Sequence, residues 1–300
     1  WAAGERLNAG HPLYGYEPGD RQLTVDPFRF AGPLLSPPLI AAIWRPLALL
    51  PFEPIVFAWW LAGLVVCAGT VIWLVLRGGA SVAIGVLVLM IPLAFTAWSG
   101  NVQAFLTPLI ALTWIALERG RLRLAGAAIG VATVLKLSPA FLGWWLLTTR
   151  RWSAFRAAFA TGTVALAIGA LGAGPSAYLD YLDVARTVIR FGGTEASLTG
   201  ILRSAGASEE VRALVTPVVS VIGVFVIAAL RGRPRAGFAA AIVTGVLAST
   251  VMNLTNVSLL LVAFVPFSRW VPATSPATAG PGAFDAAERV GAIEGDGPPQ

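Results

Sequence analysis

Lys136 is the only lysine in a 300-residue chain, and it stands inside the apolar run GVATVLKLSPAFLGWW, residues 130–145. A charge at membrane depth is expensive, so an ionisable side chain in such a run points to function. A compact ammonium can hold a phosphate as a point charge, with Ser138 two residues on as a further donor. Its long stem also lets it snorkel to an interface with no ligand at all. Two amide clusters stand near it in kind. The stretch SGNVQAF (residues 99–105) carries Asn101 and Gln103, whose amides suit sugar hydroxyls or ordinary turn and cap chemistry. The stretch STVMNLTNVS (residues 249–258) sets Ser249, Thr250, Asn253, Thr255, Asn256 and Ser258 between two apolar runs. Amides at that depth need partners, either neighbouring helices or a ligand. Asn253 and Asn256 also begin sequons, a weak signal in a membrane setting.

Other polar residues carry less. His11 is the single histidine, so the chain holds no Ser-His-Asp set, and a His before a Pro reads as a loop residue as readily as a site residue. The same first loop holds Glu5, Glu17, Asp20 and Asp26, with no spacing that assigns an acid and a base. Arg203, in a long loop that also carries Asp180, Asp183, Arg186 and Arg190, is suited to a phosphate or an acceptor head group, or to solvent. In that loop Tyr178, Tyr181, Leu182 and Ala185 fall at helical spacing and predict an amphipathic helix on the outer face. The lone Cys67 excludes a disulfide framework and a cysteine-built metal site.

The elements that must position these residues are membrane helices. The chain is 57% hydrophobic and 12% charged, against roughly 25% charged in soluble domains. Its net charge of +6 comes from arginines clustered between apolar runs, which is how topology signals look, so nucleic acid is not an expected partner. Residues 1–53 read as a first outer loop, within which the proline-broken segment 32–51 is re-entrant or interfacial. Apolar runs follow at 54–76, 82–98, 103–117, 124–135, 139–149, 155–173, 213–230, 237–252 and 256–268. Several are shorter than the roughly 20 residues that cross a bilayer, which suits a helical bundle with internal cavities. If alternate connections share a side, one side collects Arg77, Arg119, Arg121, Arg123, Arg150, Arg151, Arg156, Arg231, Arg233, Arg235 and Arg269, with Glu118 as its acid. The positive-inside rule makes that side cytoplasmic. The loops 1–53, SGNVQ, LKLSP, 174–212 and MNLTN then face outward, and 124–135 and 139–149 are separate crossings. Residues 271–300, rich in Pro, Gly, Ala and acids, are expected to form a disordered cytoplasmic tail.

In order along the chain, WAAGERLNAGHPLY, FAGPLLSPPLIAAIWRPLALLP, the block from SGNVQAF to KLSPAFLGWWLLTTRRW, and EASLTGILR resemble glycosyltransferase family 87. The resemblance spreads over about residues 1–203, with a looser fit to 270. It implies an all-α, polytopic GT-C-like bundle with short and re-entrant helices, forming one membrane domain over residues 1–270. It implies a hexosyltransferase that moves a sugar, mannose by analogy with actinobacterial α-mannosyltransferases, from a polyprenyl phosphate. The acceptor would be a lipid or glycan outside the cytoplasm, in the cell envelope. Lys136 and Arg203 would hold the donor phosphate, and His11, Tyr14, Asn101, Gln103, Ser138, Asn253 and Asn256 the substrates. No cofactor or metal is implied. In the family pattern the catalytic Asp precedes a YWAAG-like segment, and this chain begins at the Trp of that segment, so the base is expected upstream of Trp1. Where many relatives carry histidines near the outer end of a late helix, this chain reads MNLTN. The competing expectations are a lipid or solute transporter or flippase, which predicts inverted repeats that the sequence does not show, and a structural membrane subunit.

Overall fold

The computed structural model describes residues 1–14, 36–190, 197–249 and 254–267. Glu17, Asp20, Asp26, Glu195, Thr250, Asn253 and the tail expected over 271–300 lie outside the described residues. Among those described, the regular structure is helical, with no strand. The helices are α1 (Ala2–Asn8), α2 (Pro38–Leu47), α3 (Phe52–Gly78), α4 (Ala80–Val88), α5 (Met90–Trp98), α6 (Gln103–Glu118), α7 (Leu122–Leu135), α8 (Ala140–Thr148), α9 (Trp152–Ala173), α10 (Ser176–Arg190), α11 (Leu198–Ser204), α12 (Glu209–Ala229) and α13 (Pro234–Leu247). A last helical segment, α14 (Leu254–Phe267), alternates α and 3₁₀ turns.

Length divides the helices into two groups. The 27 residues of α3, the 22 of α9 and the 24 of Glu209–Gly232, which is α12 with its terminal 3₁₀ turn, are apolar and long enough to cross a membrane. At about 1.5 Å per residue each exceeds the ~30 Å hydrocarbon core. Their most apolar windows are only 11%, 22% and 11% buried, so each leaves an apolar face open on the outside of the bundle. The 16 residues of α6, 14 of α7, 9 of α8 and 14 of α13 are shorter and carry most of the buried core. The run expected over 82–98 is broken at Leu89, where α4 and α5 meet at 69°. Pro92 explains the break, because it has no N–H to donate to the carbonyl four residues back.

Small residues bring the short helices together. Gly126 and Gly130, four apart on α7, face α9 so closely that a Cβ on either would collide with the carbonyls of Ala154 and Ala158. The Thr161 hydroxyl of α9 donates across this contact to Ala127 O at 3.3 Å. At the arginine-bearing end, Trp114, Trp145 and Phe238 form a buried aromatic cluster with centroids 5.0–6.1 Å apart. The Arg151 guanidinium lies 4.9 Å from the Trp145 ring centroid, in cation–π contact. At the other end of α13, Gly245 admits the backbone of Ser138.

The first loop and α10 form a layer on the Lys136 side. Helix α2 lies on the C-terminal half of α9, where Gly169 and Gly172 meet Leu39 and Ala42. Arg45 donates to Gly172 O at 2.6 Å and to Asn8 Oδ1 at 3.2 Å, tying α2 to α9 and α1. Leu13, Tyr14, Ala41 and Ala177 are buried together beneath Tyr181 and Val184. The amphipathic helix expected in this loop is α10. Of the expected stripe Tyr178, Tyr181 and Ala185 are half-buried, with Ala177 and Val184 packed beside them, whereas Leu182 is exposed.

Candidate functional site: the Lys136 cluster

Lys136 follows the last residue of α7 in an extended conformation, its backbone N–H still closing the final turn on Ala132 O at 2.9 Å. The close packing of α7 on α9 thus fixes where the side chain starts. Its ammonium donates to Gln103 Oε1 at 3.1 Å and to Asn256 Oδ1. Asn256 Nδ2 donates in turn to Ser249 Oγ at 3.3 Å. The start of α6, the end of α7 and the start of α14 therefore converge on one cation, with Ser249 following α13. The negative end of the α7 dipole also favours a positive charge at this place.

The ammonium meets neutral oxygens only. Among the described residues Lys136 pairs with no carboxylate, and an NH₃⁺ group has three protons to donate, of which two are used. Gln103 is completely buried, and its Nε2 has no hydrogen-bond partner. Two further buried polar atoms without partners adjoin the cluster: Thr107 Oγ1, one turn along α6 from Gln103, and Thr255 Oγ1, beside Asn256. An unmade buried hydrogen bond costs about 1–3 kcal/mol. Such groups collect where water or a ligand completes them. A cation and several spare donors, with no counter-charge, can receive an oxyanion.

The expected site residues divide accordingly. Lys136, Gln103 and Asn256, drawn from three separate stretches of sequence, touch one another. Ser138 stands two residues beyond, half-buried, with its carbonyl against α13 at Gly245. Asn101 serves as a cap, its Oδ1 accepting from the Gln103 backbone N–H at 3.0 Å, which is the turn-and-cap alternative. Tyr14 belongs to the outer layer, donating to Ser36 O at 2.6 Å with its ring 5.9 Å from that of Tyr181, and burial pushes its phenol pKa well up. His11 is exposed, its backbone N–H donating to Arg6 O at 3.0 Å. Arg203 is exposed on α11, which packs on α12. Thr107 escaped the sequence reading. Its signal was the four-residue spacing from Gln103 on one helix, which puts both on one face.

The arginines lie at the opposite ends of the same helices. Helices α7 and α8 each run between an arginine-bearing turn, at Arg121 or Arg151, and the Lys136 turn; at 14 and 9 residues both are shorter than the roughly 20 that cross a bilayer. Among the described residues no group of three or more His, Cys, Asp or Glu could hold a metal ion.

A family model, glycosyltransferase family 87, matches residues 35–255. No curated protein and no solved structure matches the chain. The matched segment is well over half of the chain and contains Lys136, Gln103 and Ser249, ending one residue before Asn256.

Proposed function

The chain belongs to glycosyltransferase family 87, and from that premise we propose that this membrane glycosyltransferase takes its sugar from a polyprenyl phosphate held by the Lys136 cluster. The transporter and structural-subunit alternatives give way to an enzyme on the family match. In the proposed reaction the bond between the anomeric carbon and the phosphate oxygen breaks. The phosphate leaves with the electron pair, and an acceptor hydroxyl forms the new glycosidic bond. The departing phosphate gains negative charge, so donors aimed at it act where charge develops. Lys136 supplies the full charge, and Gln103 and Asn256 orient it by holding two of its protons. The free amide protons of Gln103 and the hydroxyls of Thr107 and Thr255 complete the ring of donors. The acceptor's proton goes to a base outside this cluster, because every group in it is a donor or a neutral amide oxygen.

The observation that carries this reading is an ammonium with no carboxylate partner among the described residues, beside Gln103 Nε2, Thr107 Oγ1 and Thr255 Oγ1 left unpartnered. The side opposite the arginine turns supports an acceptor outside the cytoplasm, in the cell envelope of a plasma membrane. Mannose is the sugar the resemblance suggests, and a glycolipid or glycan the acceptor. The test is sugar transfer from radiolabelled polyprenyl phosphate mannose by the natural protein in membranes. Lys136→Ala should lower transfer about ten- to 150-fold, the worth of one charged hydrogen-bonding group, at unchanged expression. Undiminished transfer by that variant would remove Lys136 from the site.

A further inference from the structure

Away from the lysine cluster, a groove of about 510 Å³ runs between α3 and α6 on the outside of the bundle. Its walls are apolar, with Val65, Gly69 and Trp73 from α3 facing Pro108 and Leu112 from α6, and Arg119 closes one end. That volume is within the roughly 300–1,000 Å³ of small-molecule sites. Arg119 is exposed, begins the turn that ends at Arg121, with Arg123 in the first turn of α7, and has no ion pair among the described residues; Glu118 is the adjoining acid. The groove is on helices whose outer surface faces lipid, so water is not its natural filling. Gly69 is what opens the α3 wall: a Cβ built there meets nothing within 4 Å.

We propose that this groove binds an anionic phospholipid, one acyl chain lying between α3 and α6 and the phosphate at Arg119. Charge complementarity selects the occupant. A zwitterionic lipid fills the apolar channel equally well but gains less from Arg119, Arg121 and Arg123, since basic residues at a membrane surface attract anionic head groups. The site is on the arginine side, at the far end of α6 from Gln103, so it is separate from the proposed donor-phosphate site.

Trp73 provides the readout. The chain is reconstituted in phosphatidylcholine vesicles containing an equal trace of brominated phosphatidylglycerol or brominated phosphatidylcholine. Fluorescence of the Trp73→Phe variant is subtracted to isolate Trp73. The proposal expects brominated phosphatidylglycerol to quench Trp73 at least threefold more efficiently than brominated phosphatidylcholine. Arg119→Gln should equalise the two lipids, and Gly69→Phe, which fills the groove without a backbone clash, should weaken quenching by both. Helical circular dichroism of each variant confirms the fold. Equal quenching by the two lipids in the unsubstituted chain overturns the proposal, as does a preference that survives both substitutions. Quenching that appears only when protein is diluted in lipid assigns the groove to a second copy of the chain and also overturns it.

Discussion

Lys136 was legible from sequence because an ammonium in an apolar run has few innocent explanations, and the amides of Gln103 and Asn256 stood out for the same reason. Their meeting was not legible, since they are separated by 33 and 120 positions and only the packing of α6, α7 and α14 joins them. Asn101 shows the opposite difficulty: one side-chain type serves caps and ligands alike, and local geometry decided for the cap. The unpartnered donors give two predictions at this scale. Gln103→Glu would set a carboxylate beside the ammonium, supplying the missing counter-ion. It should therefore weaken polyprenyl phosphate binding about tenfold or more, measured by titration in detergent, while the melting temperature stays level or rises. Thr107→Val removes a buried hydroxyl that has no protein partner. By sparing the ~1–3 kcal/mol of an unmade hydrogen bond, it should raise the melting temperature of the empty protein and weaken ligand binding. A lowered melting temperature would mean that Thr107 is satisfied within the fold.

Among the elements, the Lys136 turn is fixed by the packing of α7 on α9. Gly126→Val forces a side chain into the Ala154 backbone, and overpacking of this kind costs about 1–3 kcal/mol. It should lower the midpoint of thermal unfolding and weaken donor binding together, because Lys136 follows the last turn of α7. Gly143, where a Cβ meets nothing within 4 Å, is the control: Gly143→Ala should leave donor binding unchanged and raise the unfolding midpoint slightly, through the roughly 0.5–1 kcal/mol that Ala gains over Gly inside a helix. The nine apolar runs read from sequence correspond to α3, the α4–α5 pair, α6, α7, α8, α9, α12, α13 and α14. What escaped the reading was conformational detail that hydropathy does not encode. Pro92 breaks a continuous apolar run, and periodicity alone did not show that Tyr181 of α10 packs over Leu13 and Ala41.

For the whole molecule, three long apolar helices pack with a set of short ones that carry most of the buried core. With α7 only about 21 Å long and α8 about 14 Å, the Lys136 turn is recessed below the outer edge of a ~30 Å bilayer core when the arginine turns sit at the inner edge. A lipid phosphate reaching it would descend between helices and leave the outer surface to the acceptor. The sidedness is testable because the chain has one cysteine, Cys67, which is buried. In a Cys67→Ala background, a membrane-impermeant maleimide should label Asp180→Cys from outside intact cells and Arg121→Cys only after permeabilisation. The reverse pattern would invert the molecule. The arginine clusters on which the expected sidedness rests are legible in the sequence, whereas which short helices stand side by side is not, because packing decides it.

The central claim is that the lysine cluster holds a lipid-linked phosphate, and equilibrium binding tests it without requiring turnover. A short-chain polyprenyl monophosphate and the uncharged polyprenol of the same length are titrated against the chain and against Lys136→Met. The account predicts at least tenfold tighter binding of the phosphate by the unsubstituted chain, with that difference abolished in the variant and the polyprenol affinity unchanged in both. Equal affinity for the two lipids, or a phosphate preference that survives in Lys136→Met, would contradict it.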